Sequence, residues 1–410
     1  MIHVRREKYL KVLSDFREKD LIKVVSGVRR AGKSTLFDLF IGDLLEDNIS
    51  ESHIIKINFE DINYEFLKDY KKLHDYILDK CVDDQQYYIF LDEIQNVDKF
   101  ELAVDSLYLR KNLDLYITGS NAYFLSGELA TYLTGRYVEL EILPLSFKEY
   151  DELININHLS GKFDTKMDIY EHYIKGSFPY LANFIDNEEA RNYFLSGIYN
   201  TVVLEDVISR NGTKDVTKLN LIHRFLLDNI GNLISPNKIA NTLTSNNNKV
   251  DLRTVDKYLN DLVESYLYYE VRRYDIKGKE YLARLSKYYT VDVGFRNIVL
   301  ENSSSDYGHI LENIIFLELK RRFKKIAIGS TKNHEEVDFV AMDGDDIEYY
   351  QVAYTVMDEN VLMRELSPLM NINDSHPKYL ISMDVLGKNR NFDGIKQVNA
   401  IEWLLEGWKR

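Results

Sequence analysis

Residues 21–34 limit the fold more tightly than any other stretch of the chain. A short apolar run over 21–25 reads as a buried strand, and a helical pattern follows from Ser34 to about Leu45. Between them, Gly27-x-x-x-x-Gly32-Lys33-Ser34 matches the phosphate-binding pattern GxxxxGK[ST] in full. Gly27 and Gly32 permit backbone angles, and an approach to phosphate, that a Cβ would forbid. The amides of the loop and of the following helix N-terminus present N–H groups and a positive dipole end to an anion. Gly27, Val28, Arg29, Arg30, Ala31, Gly32, Lys33, Ser34 and Thr35 therefore form the expected binding loop. Lys33 would reach the β- and γ-phosphates, and the Ser34 hydroxyl would take a place on Mg²⁺. Arg29 and Arg30 read better as surface or partner contacts than as catalytic groups.

The pattern around this loop alternates strands with helices. Strands are expected over 53–60, 87–91, 113–118 and 136–143, with helices over 8–19, 64–81 and 97–109. Such alternation implies right-handed crossovers and a parallel sheet, so residues 1–145 read as one α/β domain. The run over 87–91 is apolar throughout, as a strand covered on both faces should be, and it ends in Asp92-Glu93. Ligands bind at the carboxyl ends of strands in open α/β sheets. Asp92 would hold Mg²⁺ there, and Glu93 would orient and deprotonate an attacking water. The next strand ends in Ser120 and Asn121, either of which would touch the γ-phosphate or that water, or would cap a helix. Arg136 suits an arginine finger acting in its own chain or in a neighbouring copy, or else an ion pair with a carboxylate.

Composition narrows what the rest can be. The 410 residues are too many for one ordinary core, and 45% hydrophobic content supports folded domains. A net charge of −14 argues against a surface that coats nucleic acid along its length, while leaving room for a local basic face. The single cysteine, Cys81, excludes an internal disulfide framework and suits a reducing cytosol. With no signal-like N-terminus and no apolar run of membrane-spanning length, a soluble cytoplasmic protein is expected, without membrane contact.

Beyond residue 145 the expected organisation has three parts. Residues 146–218 read as helical, a lid over the nucleotide. Residues 219–278 give helix, short helix, turn, helix and strand, the outline of a winged helix. Its last helix, over 251–265, carries Asp251, Asp256, Asp261 and Glu264 against Arg253 and Lys257, which is poor for phosphate contact. Arg272 and Arg273 remain candidates for a nucleic-acid backbone, as does the basic run over 320–325. Residues 279–410 read as a second α/β unit. It resembles the restriction-endonuclease-like fold of nucleases that set an acid on a helix, an Asp on a strand and Glu-x-Lys on the next. Glu312, Asp338 and Gln351 stand at those places, but Gln351 is an uncharged ligand and Ala353 removes the ammonium. The resemblance implies a degenerate site, used for binding or assembly, with nucleic-acid cleavage as the alternative.

The chain as a whole resembles bacterial and archaeal AAA+ P-loop ATPases that carry a C-terminal domain of unassigned function. The resemblance rests on residues 26–35, on Phe90-Leu91-Asp92-Glu93-Ile94-Gln95, and on 117–121, 133–140 and 144–150. It continues through 308–313, 335–340 and 350–354. It implies an additional-strand P-loop core with ATP as the nucleotide. The expected function is Mg²⁺-dependent ATP hydrolysis driving conformational change in the C-terminal parts. The alternatives are a nucleic-acid-processing protein and a nucleotide-gated scaffold for a protein partner, and under each of the three readings a homo-oligomer is an expected option.

Overall fold

The fold is that of a computed structural model, which describes residues 3–120, 133, 135–202, 207–208, 215–246, 248, 250–300, 306–387 and 389–406. The chain divides into two compact units. One is Ile2–Pro144 with Glu264–Tyr266, and the other is Leu145–Val263 with Leu267–Arg410.

In the first unit α1 (Glu7–Asp15) precedes β1 (Ile22–Ser26), and α2 (Lys33–Glu46) leads to β2 (Ile54–Asn58). Then come α3 (Tyr70–Lys80), β3 (Tyr87–Asp92), α4 (Phe100–Tyr108), β4 (Leu113–Thr118) and β5 (Tyr137–Glu141). The strands form one parallel sheet in the order β2-β3-β4-β1-β5. The expected parallel α/β domain is present, with β4 inserted between the loop strand and the acidic strand. All of β1 and β3 is buried because both sheet faces are covered. On one face Ile22, Val24, Ile89 and Leu91 meet Leu73 and Ile77 of α3 and Val104 and Leu107 of α4. On the other, Phe90 stacks on Tyr116 with centroids 4.7 Å apart and takes the edge of Phe37 from α2. Each such ring contributes about 2–3 kcal/mol by leaving water.

Three expected helices are shorter in the fold: the one over 8–19 ends at Asp15, and local chemistry explains the other two. The segment over 64–81 is broken because the Asp69 carboxylate accepts the amides of Lys71 and Lys72 (3.0 and 3.1 Å), starting α3 afresh. The segment over 97–109 begins only at Phe100, because Lys99 before it is left-handed at φ 53°.

The second unit opens with α5 (Phe147–Ile156), α6 (Lys166–Tyr173) and α7 (Glu188–Thr201). Ser146 and Glu149 form a reciprocal cap on α5. These helices lie in the region expected as a lid, and they cluster with the C-terminal residues. Asp292 makes one of the ties, accepting the Ser177 amide and hydroxyl at 2.6 and 2.8 Å. Next come α8 (Val216–Asp228), α9 (Pro236–Ser245) and α10 (Leu252–Glu264), then a hairpin of β6 (Tyr268–Asp275) and β7 (Glu280–Thr290).

After α11 (Phe295–Val299) and α12 (Tyr307–Arg322) run β8 (Lys325–Ser330), β9 (Glu336–Asp343) and β10 (Asp346–Ala353). The chain continues through α13 (Glu359–Met370), β11 (Lys378–Ser382), β12 (Asn391–Phe392) and β13 (Ile395–Asn399) to α14 (Ala400–Glu406). One mixed sheet collects eight strands in the order β12-β13-β11-β10-β9-β8-β6-β7. Because β6 pairs with both β7 and β8, the expected boundary at 278/279 falls in a hairpin turn, and the segments it would separate share a sheet. No helix among the described residues is long and apolar enough to cross a membrane.

Candidate nucleotide site

Strand β1 ends at Ser26, and the chain turns at once into the loop. Gly27 has φ 132°, and a Cβ there would stand 2.2 Å from the Ile142 carbonyl oxygen. Only glycine allows the loop to leave the sheet this close to its neighbour. Gly32, at φ 103°, precedes α2 and offers no side-chain cap, so the first helical N–H groups remain for an anion. The loop is propped from beneath by Arg6, which is buried and donates to the carbonyls of Ala31 (3.0 Å) and Leu143 (2.8 Å). The sequence pattern gave no sign of that support. Lys33 is 4% exposed, and its ammonium reaches the carbonyls of Gly27 (3.0 Å) and Val28 (3.4 Å) and the Glu93 carboxylate (3.4 Å).

The acidic pair sits at the carboxyl end of β3, as expected. Thr118, at the end of β4, joins the two acids. Its hydroxyl donates to Asp92 Oδ1 (2.6 Å) and accepts the Glu93 amide (2.7 Å). Asp92 is fully buried, and its second oxygen, Oδ2, has no hydrogen-bond partner among the described residues. A buried carboxylate oxygen without a donor is costly unless a cation takes it. Ser34, at the start of α2, supplies the hydroxyl that the pattern requires. The residues therefore fit Mg²⁺ and a triphosphate: an uncapped helix end and an ammonium for the anion, an unshared oxygen for the ion.

Glu93 is left-handed at φ 54°, a conformation costing a non-glycine residue about 1 kcal/mol or more. Gln95 holds its carboxylate, donating through Nε2 to Glu93 Oε2 and, at 3.3 Å, to the Ser120 hydroxyl. Burial raises the Glu93 carboxyl. Lys33, with smaller help from Gln95 and Arg29, outweighs it and leaves the group below the usual carboxylate range. Glu93 is thus an ionised acceptor at neutral pH. Gln95 and Thr118 belong to the site, although sequence reasoning assigned them nothing.

Ser120 is buried beside these groups, and Asn121 lies outside the described residues. Arg29 pairs with Glu60 at 3.6 Å, and Arg30 is exposed. Arg136 is not brought to the site. It precedes Tyr137, which registers with Ile22 at the opposite end of β1 from Ser26, roughly 13 Å away at the rise of a strand. Its guanidinium pairs with Asp105 and lies over Tyr108, so a finger acting within its own chain is excluded by topology.

In the second unit Glu312 on α12 and Asp338 on β9 do converge, with Gln351 on β10 beside them. Glu312 accepts the Tyr289 hydroxyl at 2.6 Å. Gln351 spends its amide internally, taking the Asp338 N–H (3.3 Å) and donating to Glu365 (2.9 Å). The ammonium of Lys287 on β7 stands among these groups, 2.8 Å from Glu312. In the run over 320–325, Arg321 and Arg322 turn back to Glu318 (3.3 and 2.9 Å), and Lys324 pairs with Asp343 (3.0 Å). Arg272 of the hairpin pairs with Glu270 at 3.5 Å.

A family described as an AAA domain matches residues 19–151, and one described as a domain of unknown function matches 166–306. A Haemophilus influenzae protein, described as uncharacterized, is 39% identical over 404 residues, spanning 98% of this chain and 99% of its own. A second uncharacterized protein, from Methanocaldococcus jannaschii, is 32% identical over 354 residues, 83% of this chain and 76% of its own. Among solved structures, a Walker-type ATPase of Pyrococcus abyssi is similar with a TM-score of 0.48 at 14% identity, covering 73% of this chain and 98% of that one.

Proposed function

This chain belongs to a family of AAA-domain proteins, and on that premise we propose that it is a Mg²⁺-dependent ATPase cleaving the β–γ bond of ATP. One observation carries the reading: Asp92 keeps an unshared buried oxygen while Glu93, next to it, is held ionised against Lys33. In the proposed mechanism Lys33 and the α2 amides bind the β- and γ-phosphates, and Ser34 and Asp92 hold the metal. When bound, Mg²⁺ neutralises charge on the phosphate oxygens. Glu93 orients the attacking water and takes its proton, and Gln95 and Thr118 fix Glu93 for that task. Arg136 serves in its pair with Asp105 as a structural group.

Hydrolysis is proposed to move the second unit. The three helices α8–α10 and the following hairpin support a winged-helix reading. The internal pairing of Arg272, Arg321, Arg322 and Lys324 favours a protein partner over nucleic acid. The test compares parent, Lys33→Ala and Glu93→Gln for binding of a fluorescent ATP analogue and for phosphate release. Lys33→Ala should lose binding, and Glu93→Gln should bind and not turn over. Parental turnover in Glu93→Gln refutes the assignment.

A further inference from the structure

The carboxylates that a nuclease-like fold would offer to a divalent ion already hold a cation that belongs to the chain. Lys287 is 3% exposed, and its ammonium lies 2.7 Å from Glu336, 2.8 Å from Glu312 and 3.6 Å from Asp338. The four carriers come from three elements: Lys287 from β7, Glu312 from α12, and Glu336 and Asp338 from β9.

Several other acceptors around this point also have partners. Glu312 Oε1 takes Tyr289 as well as Lys287. Asp338 Oδ2 accepts the Val352 amide at 2.8 Å. Gln351, in the position of a metal-ligating acid, has its carbonyl oxygen on the Asp338 backbone. Among the described residues no group of three or more His, Cys, Asp or Glu side chains is arranged to hold a metal ion. Burial lowers the Lys287 ammonium, but Glu312, Asp338 and Glu336 outweigh it and raise the group, so it stays charged at any physiological pH. Burial, and then the Glu312 charge, raise Asp338 well above its usual range, which weakens it further as a metal ligand.

We propose that Lys287 is the resident cation of this site, seated where a nuclease of the same outline would bind Mg²⁺, so that the domain neither takes up nor requires a divalent metal. The residues do not fit the ion that the resemblance implies. What the ammonium does instead is mechanical: it ties the hairpin strand β7 to α12 and β9, making the hairpin and the larger sheet one body. The ATPase reading is not needed for this inference.

Removing the ammonium should uncover the seat. The full chain, without nucleotide and in an Asp92→Asn background to silence the first unit, is titrated with Mn²⁺ and free ion is read by electron paramagnetic resonance. The Lys287 side chain intact, uptake should be the same with and without Asp338→Asn. Lys287→Met should take up one further Mn²⁺, at least about tenfold tighter than the parent, as expected when carboxylate oxygens meet a hard cation. Adding Asp338→Asn should abolish that gain. Lys287→Gln is the second variant, keeping a polar side chain should Lys287→Met not fold, and recovery of either fold by Mn²⁺ supports the proposal. Mn²⁺ uptake by the Lys287 chain that Asp338→Asn removes would overturn it, whether or not the variants fold. So would folded Lys287→Met and Lys287→Gln proteins that both bind no extra ion.

Discussion

Two clusters in this molecule are built from the same parts, a buried lysine and buried acidic side chains, and they end in opposite states. Around Lys33 the chain leaves capacity: Asp92 Oδ2 is unshared, the α2 N-terminus is uncapped, and two of the lysine's contacts are backbone carbonyls. Around Lys287 the side chains close on one another. A site that binds must keep some valence unspent and meet the cost locally, whereas a site that only holds the fold together spends it. Residue types alone do not separate the two, and the accounting of individual oxygens does.

The largest expected effect tests the open cluster. Glu93→Gln should slow phosphate release by about 10²–10⁴-fold with nucleotide affinity retained, the range for loss of a general base. The closed cluster is tested next, by urea unfolding. Lys287→Met should cost about 3–5 kcal/mol, because it strands buried carboxylates without a counter-charge. Lys33→Ala should cost less, about 1–2 kcal/mol, since Gln95 remains on Glu93. Equal costs would break the comparison.

A third prediction concerns the group that departs from the rule in the second unit. His223 is fully buried, and neither ring nitrogen has a hydrogen-bond partner among the described residues. Burial pushes its imidazole down from 6.5 to about 3. The unfolded chain therefore binds the proton first, so stability is full above pH 6.5 and falls as the pH drops toward 3. Between pH 7 and pH 5 this group should remove about 2 kcal/mol, and His223→Phe should flatten that part of the profile by the same amount. The smallest effect is local. Gln95→Ala should lower turnover about tenfold in the parent and leave Glu93→Gln unchanged, as expected of a residue acting only through Glu93. A loss of equal size in both backgrounds would make Gln95 a structural residue.

What could be read from the sequence was whatever is local in it. The loop from Gly27 to Ser34, the apolar run closed by Asp92 and Glu93, and the strand 113–118 are each continuous patterns, and the fold keeps them where they were expected. The partners that tune them are distant in sequence. Thr118 meets Asp92 across 26 positions, Arg6 meets Leu143 across 137, and Lys287 meets Glu312 across 25, with no periodicity to announce any of them. Of the alternatives for Arg136, the finger within its own chain falls and the ion pair with a carboxylate, Asp105, is present: a residue just before a strand of a parallel sheet stands at the end away from the loop. In the run over 320–325 the pairing was local and could have been read, since Glu318 stands three and four positions before Arg321 and Arg322 on one helix.

Strand β6 has a hydrogen-bonded neighbour on either side, β7 running against it and β8 running with it. The hairpin that follows the helical trio is thus part of the long sheet, and a displacement of one of its strands is felt by the next through peptide groups. A protein cut between residues 278 and 279 would therefore yield two fragments, each with a raw strand edge.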